Sequence, residues 1–131
     1  TRLETFRLPK LKKPFAVANF WGGCTSLHTL TFEDPTDFMV FTGNLYNCNA
    51  LTTIIFEGGK LTNDWYFQQA PISVESMKHI IEHLTNYAGT DKEGVHTIRF
   101  SDSCWNALEA DSKAPGGGTW QSYVQSLGWN L

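Results

Sequence analysis

Cys24-Thr25-Ser26-Leu27-His28-Thr29-Leu30-Thr31-Phe32-Glu33 is followed by Cys48-Asn49-Ala50-Leu51-Thr52-Thr53-Ile54-Ile55-Phe56-Glu57, and the second stretch repeats the first at an offset of 24. Cys24 matches Cys48, Leu27 matches Leu51, Leu30 matches Ile54, Phe32 matches Phe56 and Glu33 matches Glu57. A further step back of 24 lands on Leu3, Phe6 and Leu8, so the apolar triplet occurs three times at constant spacing. The stretches between them echo it, with Val17 and Trp21 matching Phe41 and Leu45. Three aligned triplets are not a chance pattern, and a fixed period takes precedence over any local reading.

A 24-residue period lies in the range of leucine-rich repeats, in which each turn adds one short strand to a parallel sheet. Leu30-Thr31-Phe32 and Ile54-Ile55-Phe56 carry the alternation of a half-buried strand. No single turn buries its own apolar face; stacked turns bury a common core. The period therefore predicts an α/β fold: a right-handed solenoid of 24-residue leucine-rich repeats. Residues 1–72 form three repeats, the first of them truncated. Thr1 enters in mid-motif, one position after the place that would match Cys24, so the chain reads as the C-terminal part of a longer array. Its first strand, Leu3 to Leu8, would then be an edge through which the chain self-associates.

From residue 73 the period changes. Ser73 is placed as an N-cap, Val74, Met77, Ile80, Ile81, Leu84 and Tyr87 recur at helical spacing, and Gly89 suits the residue after a helix end. Thr97-Ile98-Arg99-Phe100 reads as a further strand, expected to extend the same sheet through a right-handed crossover. Ser101 or Asp102 caps a second helix through Trp105 and Leu108. The Ala114-Pro115-Gly116-Gly117-Gly118 loop leads to a third helix, Thr119 to Leu127, stopped by Gly128. Residues 73–131 thus hold the last strand and a helical C-terminal cap, continuous with the solenoid.

The Cys-x-x-Leu-x-x-Leu/Ile-x-Phe unit resembles the BspA-like leucine-rich repeats of bacterial surface proteins. The ending is similar to the C-terminal end of such arrays in gut bacteria and their phages: Ala70 to Met77, Ile80 to Leu84 and Gly128-Trp129. The resemblance implies a non-catalytic, extracellular or cell-surface module for adhesion, binding protein partners such as host surface proteins. A structural part of a phage particle and a glycan-binding module are the alternatives.

Composition limits the other classes. The chain has 131 residues, 41% of them hydrophobic, which suits one domain with its own core. Its apolar runs are too short for a membrane-spanning helix, so no membrane insertion is expected. The net charge of −3 argues against nucleic acid, whose binding needs a basic face. Arg2, Arg7, Lys10, Lys12 and Lys13 crowd the start, and read as a solvated edge.

No set of residues reads as catalytic, and no cofactor or metal is expected. His79-Ile80-Ile81-Glu82-His83 has the His-x-x-Glu-His spacing of one zinc-peptidase class. That face lies opposite Met77, Ile81 and Leu84, so both rings are expected in solvent, without the third ligand and cleft that catalysis requires. Gly116 to Gly118 lack the Lys and Ser/Thr of a phosphate loop. Cys24 and Cys48 should stack about 4.8 Å apart on neighbouring turns. With parallel side chains that leaves their Cβ atoms wider than the roughly 3.8 Å a disulfide prefers, and buried thiols are expected. Phe6, Phe32, Phe56, Phe100, Trp21 and Phe41 fall on core positions; Trp65, Tyr66 and Trp129 are left as candidates to stack on a ligand.

The open face of the sheet remains as the candidate binding site. Residues alternating with the core form rows: Thr5, Thr29, Thr53, Thr97, then Arg7, Thr31, Ile55, Arg99, then Pro9, Glu33, Glu57, Ser101. The expected site is Thr29, Thr31, Glu33, Thr53, Ile55, Glu57, Thr97 and Arg99. Ile55 is apolar among polar neighbours, and the like charges of Glu33 and Glu57 need relief, which Arg99 would supply diagonally.

Overall fold

Leu30 and Phe32, and Ile54 and Phe56, turn inward while their neighbours stay at the surface, and this alternation makes the strands. The structure is a computed structural model that describes residues 3–10, 15–17, 24–36, 38–40, 45 and 47–131, with only the backbone described at 15–17, 39 and 40. The expected core positions Trp21 and Phe41 lie outside the described residues, as do Arg2, Lys12 and Lys13.

The chain order is β1 (Thr5–Leu8), β2 (Phe15–Val17), β3 (Thr29–Phe32), β4 (Phe38–Val40), β5 (Thr53–Phe56), β6 (Trp65–Tyr66), α1 (Val74–Glu82), β7 (Ile98–Arg99), α2 (Asp102–Asp111) and α3 (Trp120–Ser126). Two parallel sheets result, one ordered β1-β3-β5 and the other β2-β4-β6-β7. Among the described residues the fold is thus mixed α/β with parallel sheets and three helices. In the first sheet Thr5, Thr29 and Thr53 are in register, as are Phe6, Leu30 and Ile54, Arg7, Thr31 and Ile55, and Leu8, Phe32 and Phe56. This is the 24-residue offset of the sequence.

Aromatic rings join the two sheets. Phe32 of β3 meets Phe38 of β4 and Trp65 of β6 edge-on, at centroid distances of 5.5 and 5.2 Å. Phe56 meets Trp65 at 5.5 Å, and the Trp65 indole N–H donates to the Phe38 carbonyl at 3.1 Å. The stack continues through Phe67 and Phe100 to Trp105 of α2. Phe6 is the exception to its row. It is 41% exposed, against 2% for Leu30 and 1% for Ile54, because among the described residues β1 is flanked only by β3.

Successive strands alternate between the sheets until β6, and then α1 stands beside β5. On β5 the amides of Thr53 and Glu57 donate back to the β3 side, to the His28 and Phe32 carbonyls. Those of Ile54 and Phe56 face away, toward α1. There the Ile54 N–H donates to Ser76 Oγ at 3.1 Å and the Phe56 N–H to His79 Nε2 at 2.8 Å, while the Ser73 N–H donates to the Thr52 carbonyl. The helix thus closes the edge of the sheet with side-chain acceptors. Its other face buries Met77, Ile80 and Ile81 in the core.

The strand at Ile98–Arg99 does not extend the β1-β3-β5 sheet; it pairs with β6, Trp65 opposite Ile98 and Tyr66 opposite Arg99, because α1 already covers β5. The first helix begins on its Ser73 N-cap but ends at Glu82, well before Gly89. The chain leaves it so that Leu84 can bridge to Leu61, whose N–H donates to the His83 carbonyl. His79 and His83 are half-buried against β5 rather than turned to solvent. Ser101 caps α2 and Thr119 caps α3 through their side chains, and Gly128 follows α3 with φ 88°. A side chain there would also crowd the Tyr87 backbone at 3.0 Å.

If Ser76 seals the sheet edge, Ser76→Ala should cost about 1–3 kcal/mol by leaving the buried Ile54 N–H without an acceptor. Equilibrium denaturation in urea measures this, and a loss below about 0.5 kcal/mol would show that the seal carries no stability.

Candidate functional site

Pairing in register puts Thr5, Thr29 and Thr53 in one row on the outer face of β1-β3-β5, and Arg7, Thr31 and Ile55 in the next. β-Branched threonines suit this position, since they favour extended backbone and present a hydroxyl to water. Some are tied to neighbours. Thr29 Oγ1 lies 2.8 Å from His28 Nδ1, and Thr53 Oγ1 lies 3.3 Å from Thr52 Oγ1. Ile55, at the end of its row on β5, is 39% exposed, and with β7 in the other sheet it has α1 rather than a further strand at its side.

The strand ends carry the charge. Arg7 Nη2 lies 3.0 Å from Glu33 Oε1 and 2.5 Å from Glu57 Oε1, so one guanidinium bridges both carboxylates. Glu33 also accepts the Lys10 N–H through Oε2 at 3.0 Å, and Lys10 Nζ reaches Asp34 at 3.3 Å. The Lys10 amide first, and then Arg7, hold the Glu33 carboxyl below its ordinary range. Thr36 does the same for Asp34. Arg7, held firmly protonated by Glu57 and Glu33, supplies the relief of like charge that the sequence assigned to Arg99. Being solvent-exposed, this cluster organises the surface more than it stabilises the fold.

Six of the eight expected site residues therefore share one face: Thr29, Thr31, Glu33, Thr53, Ile55 and Glu57. Thr97 and Arg99 do not belong to it. The Thr97 N–H donates to Asp64 at 2.9 Å, Thr97 bridges to Asn130, and Arg99 lies over the Tyr66 ring at 5.8 Å with an N–H toward the Leu131 carbonyl. Arg7 was in the aligned row from the start, but only the register shows it between the two glutamates.

The expected ligand-stacking aromatics are largely withdrawn from the surface. Trp65 and Trp129 are buried, and their indole N–H groups donate to backbone carbonyls of Phe38 and Thr85. Tyr66 is half-buried beneath Arg99. A glycan platform of coplanar rings is not formed by these residues.

A shallow cleft of about 500 Å³ runs between Gln68–Ile72 and the start of α2. Its titratable group is Cys104, buried, with its thiol directed at the Ala70 and Ile72 carbonyls. Among the described residues no three His, Cys, Asp or Glu side chains converge as for a metal ion. None of the three cysteines is in a disulfide; Cys48 and Cys104 are buried and Cys24 half-buried. Burial pushes the Cys48 thiol up. No described helix is long and apolar enough to cross a membrane.

No protein-family model matches the chain, and comparison with curated proteins and with solved structures finds no match.

An NMR titration of the Glu33 carboxyl checks the charge cluster. Its midpoint should lie below 4.5 and rise in Arg7→Gln, yet stay below 4.5 because the Lys10 N–H still donates. A depressed carboxylate contributes stability above the ordinary range and loses it as pH falls through the depressed midpoint. A Glu33 midpoint indifferent to Arg7→Gln would remove Arg7 from the site.

Proposed function

We propose that the chain is part of a leucine-rich-repeat solenoid with a helical cap, and that it is a non-catalytic protein-binding or adhesion module of a bacterial surface or secreted protein. The 24-residue register through three strands supports the repeat architecture, as does the strand-by-strand alternation between two sheets. The observation that carries the binding reading is Ile55, a 39% exposed aliphatic side chain on a threonine-lined face, on the strand beside α1. Arg7, Glu33 and Glu57 add a net single negative charge to the same face. An exposed apolar contact flanked by polar groups is the kind of position at which a few residues carry binding. The matching partner is a protein surface with an apolar projection beside a cationic group. The extracellular placement follows the resemblance of the repeat unit alone.

Two adjacent substitutions separate binding from folding. Ile55→Arg places a charge outward on the face and should keep stability within about 0.5 kcal/mol. It should weaken partner binding by about 2 kcal/mol or more, about thirtyfold. Phe56→Ala, one residue on and inward, should cost about 3–5 kcal/mol of stability. The measurement is binding of immobilised chain to a panel of purified surface proteins from candidate host cells, with both variants beside the parent. Equal capture of every partner by parent and Ile55→Arg would move the search away from this face.

A further inference from the structure

We propose that His79 is a proton-sensitive latch: its neutral ring holds the C-terminal half of α1 to the edge of β5, and protonation releases that edge. The Phe56 N–H donates to His79 Nε2 at 2.8 Å. A ring nitrogen that accepts a hydrogen bond carries no proton, so the ring is the neutral Nδ1–H tautomer. Adding a proton at Nε2 would set two donors against each other at that distance. Rotating the ring away leaves the Phe56 N–H unsatisfied beneath the helix, because among the described residues β5 pairs with no strand on that side.

The surroundings favour the neutral form. The Phe56 ring stacks on His79 at 5.7 Å and 18°, and His83 lies 4.4 Å from it, centroid to centroid. His83 Nδ1 donates to the His79 carbonyl at 2.8 Å, which fixes the second ring against the first. The charged groups nearby are otherwise engaged or on the same helix. Lys78 pairs with Asp111 of α2 at 2.7 Å, Lys60 Nζ donates to the Glu82 carbonyl, and Glu57 is held by Arg7 on the outer face. Glu75 lies one turn earlier on α1 and is exposed. Among the described residues no carboxylate lies within ion-pair distance of either ring to favour a charged imidazole. Burial first, and then His83, push the His79 pKa below the ordinary 6.5, with Glu82 opposing in part. Because the folded value is lowered, the stability the latch contributes is fully present above 6.5 and is lost as pH falls from there through the lowered folded value.

Ile54 supplies an internal reference, since its acceptor is the Ser76 hydroxyl, which does not titrate. Amide hydrogen exchange by NMR on the whole chain at pH 7.5 and 5.0, corrected for intrinsic rates, reads both amides. Phe56 protection should fall relative to Ile54, by up to about tenfold per pH unit below the unfolded-state pKa. In His79→Gln the amide oxygen can still accept the Phe56 N–H but does not titrate, so the two amides should keep a constant ratio. His28→Gln and His96→Gln should behave as the parent. The latch is overturned if the parent ratio does not change with pH, or if it changes equally in His79→Gln. Should His79→Gln not fold, the ring nitrogen shifts of the parent decide. An Nδ1–H tautomer at pH 7.5, converting to the doubly protonated ring as the Phe56 ratio falls, supports the latch; an Nε2–H tautomer excludes it.

Discussion

The last strand of a parallel sheet has an amide every second residue with nowhere to donate, and here α1 supplies the acceptors. The geometry is not self-evident. Ile54 and Phe56 are separated by about 6.6 Å along a strand, whereas Ser76 and His79 rise only about 4.5 Å along a helix axis. The short Ser76 hydroxyl and the long His79 imidazole make up the difference by their unequal reach. Once those two bonds are fixed, Met77, Ile80 and Ile81 have one orientation open to them, toward the core shared with Trp65 and Phe56. The helix is therefore positioned by polar contacts with a strand edge as much as by its apolar stripe.

This explains which parts of the fold were legible in the sequence. The first sheet has a constant offset of 24 between neighbours, so its rows could be read directly. The second sheet has no such constancy. Phe15 pairs with Phe38, Val40 with Trp65 and Trp65 with Ile98, offsets of 23, 25 and 33. With the spacing irregular, the strand at Ile98 could not be assigned to a sheet from its apolar pattern. The histidines misled for a related reason. A helical wheel sorts side chains by polarity, and puts His79 opposite Met77 and Ile81 as though toward water. It has no place for a polar side chain half-buried because a strand edge needs an acceptor.

The candidate site shows the same division between what is periodic and what is local. The threonine rows and Ile55 follow from the repeat, but the charge cluster depends on strand ends, where Arg7 leans across to Glu33 and Glu57. Two glutamates placed in equivalent positions by repetition repel, and a single cation reaching across from β1 removes the repulsion without burying any charge. Trp65 and Trp129 could not be placed from the sequence because each needs a particular backbone carbonyl, of Phe38 and Thr85, before its indole can go inside.

Diversion of β7 into the second sheet also sets the size of the open face. β1, β3 and β5 at about 4.8 Å spacing, each four residues long, cover roughly 200 Å². A stable interface takes about 800 Å² from each partner. A partner seated on Ile55 must therefore spread past the strands, and the direction of spread is constrained. On one side α1 stands against β5, and its Lys78 is paired with Asp111 of α2. At the strand ends lie Lys10, Asp34 and Thr36, next to Gly59, whose φ of 72° keeps the backbone turning tightly beneath the Asp34 carboxylate. That rim already exposes Lys10 and is joined to the Arg7 cluster through Glu33. Contact continuing from Ile55 across Glu57 and Glu33 onto this rim would enlarge the footprint without displacing the helix that seals the sheet.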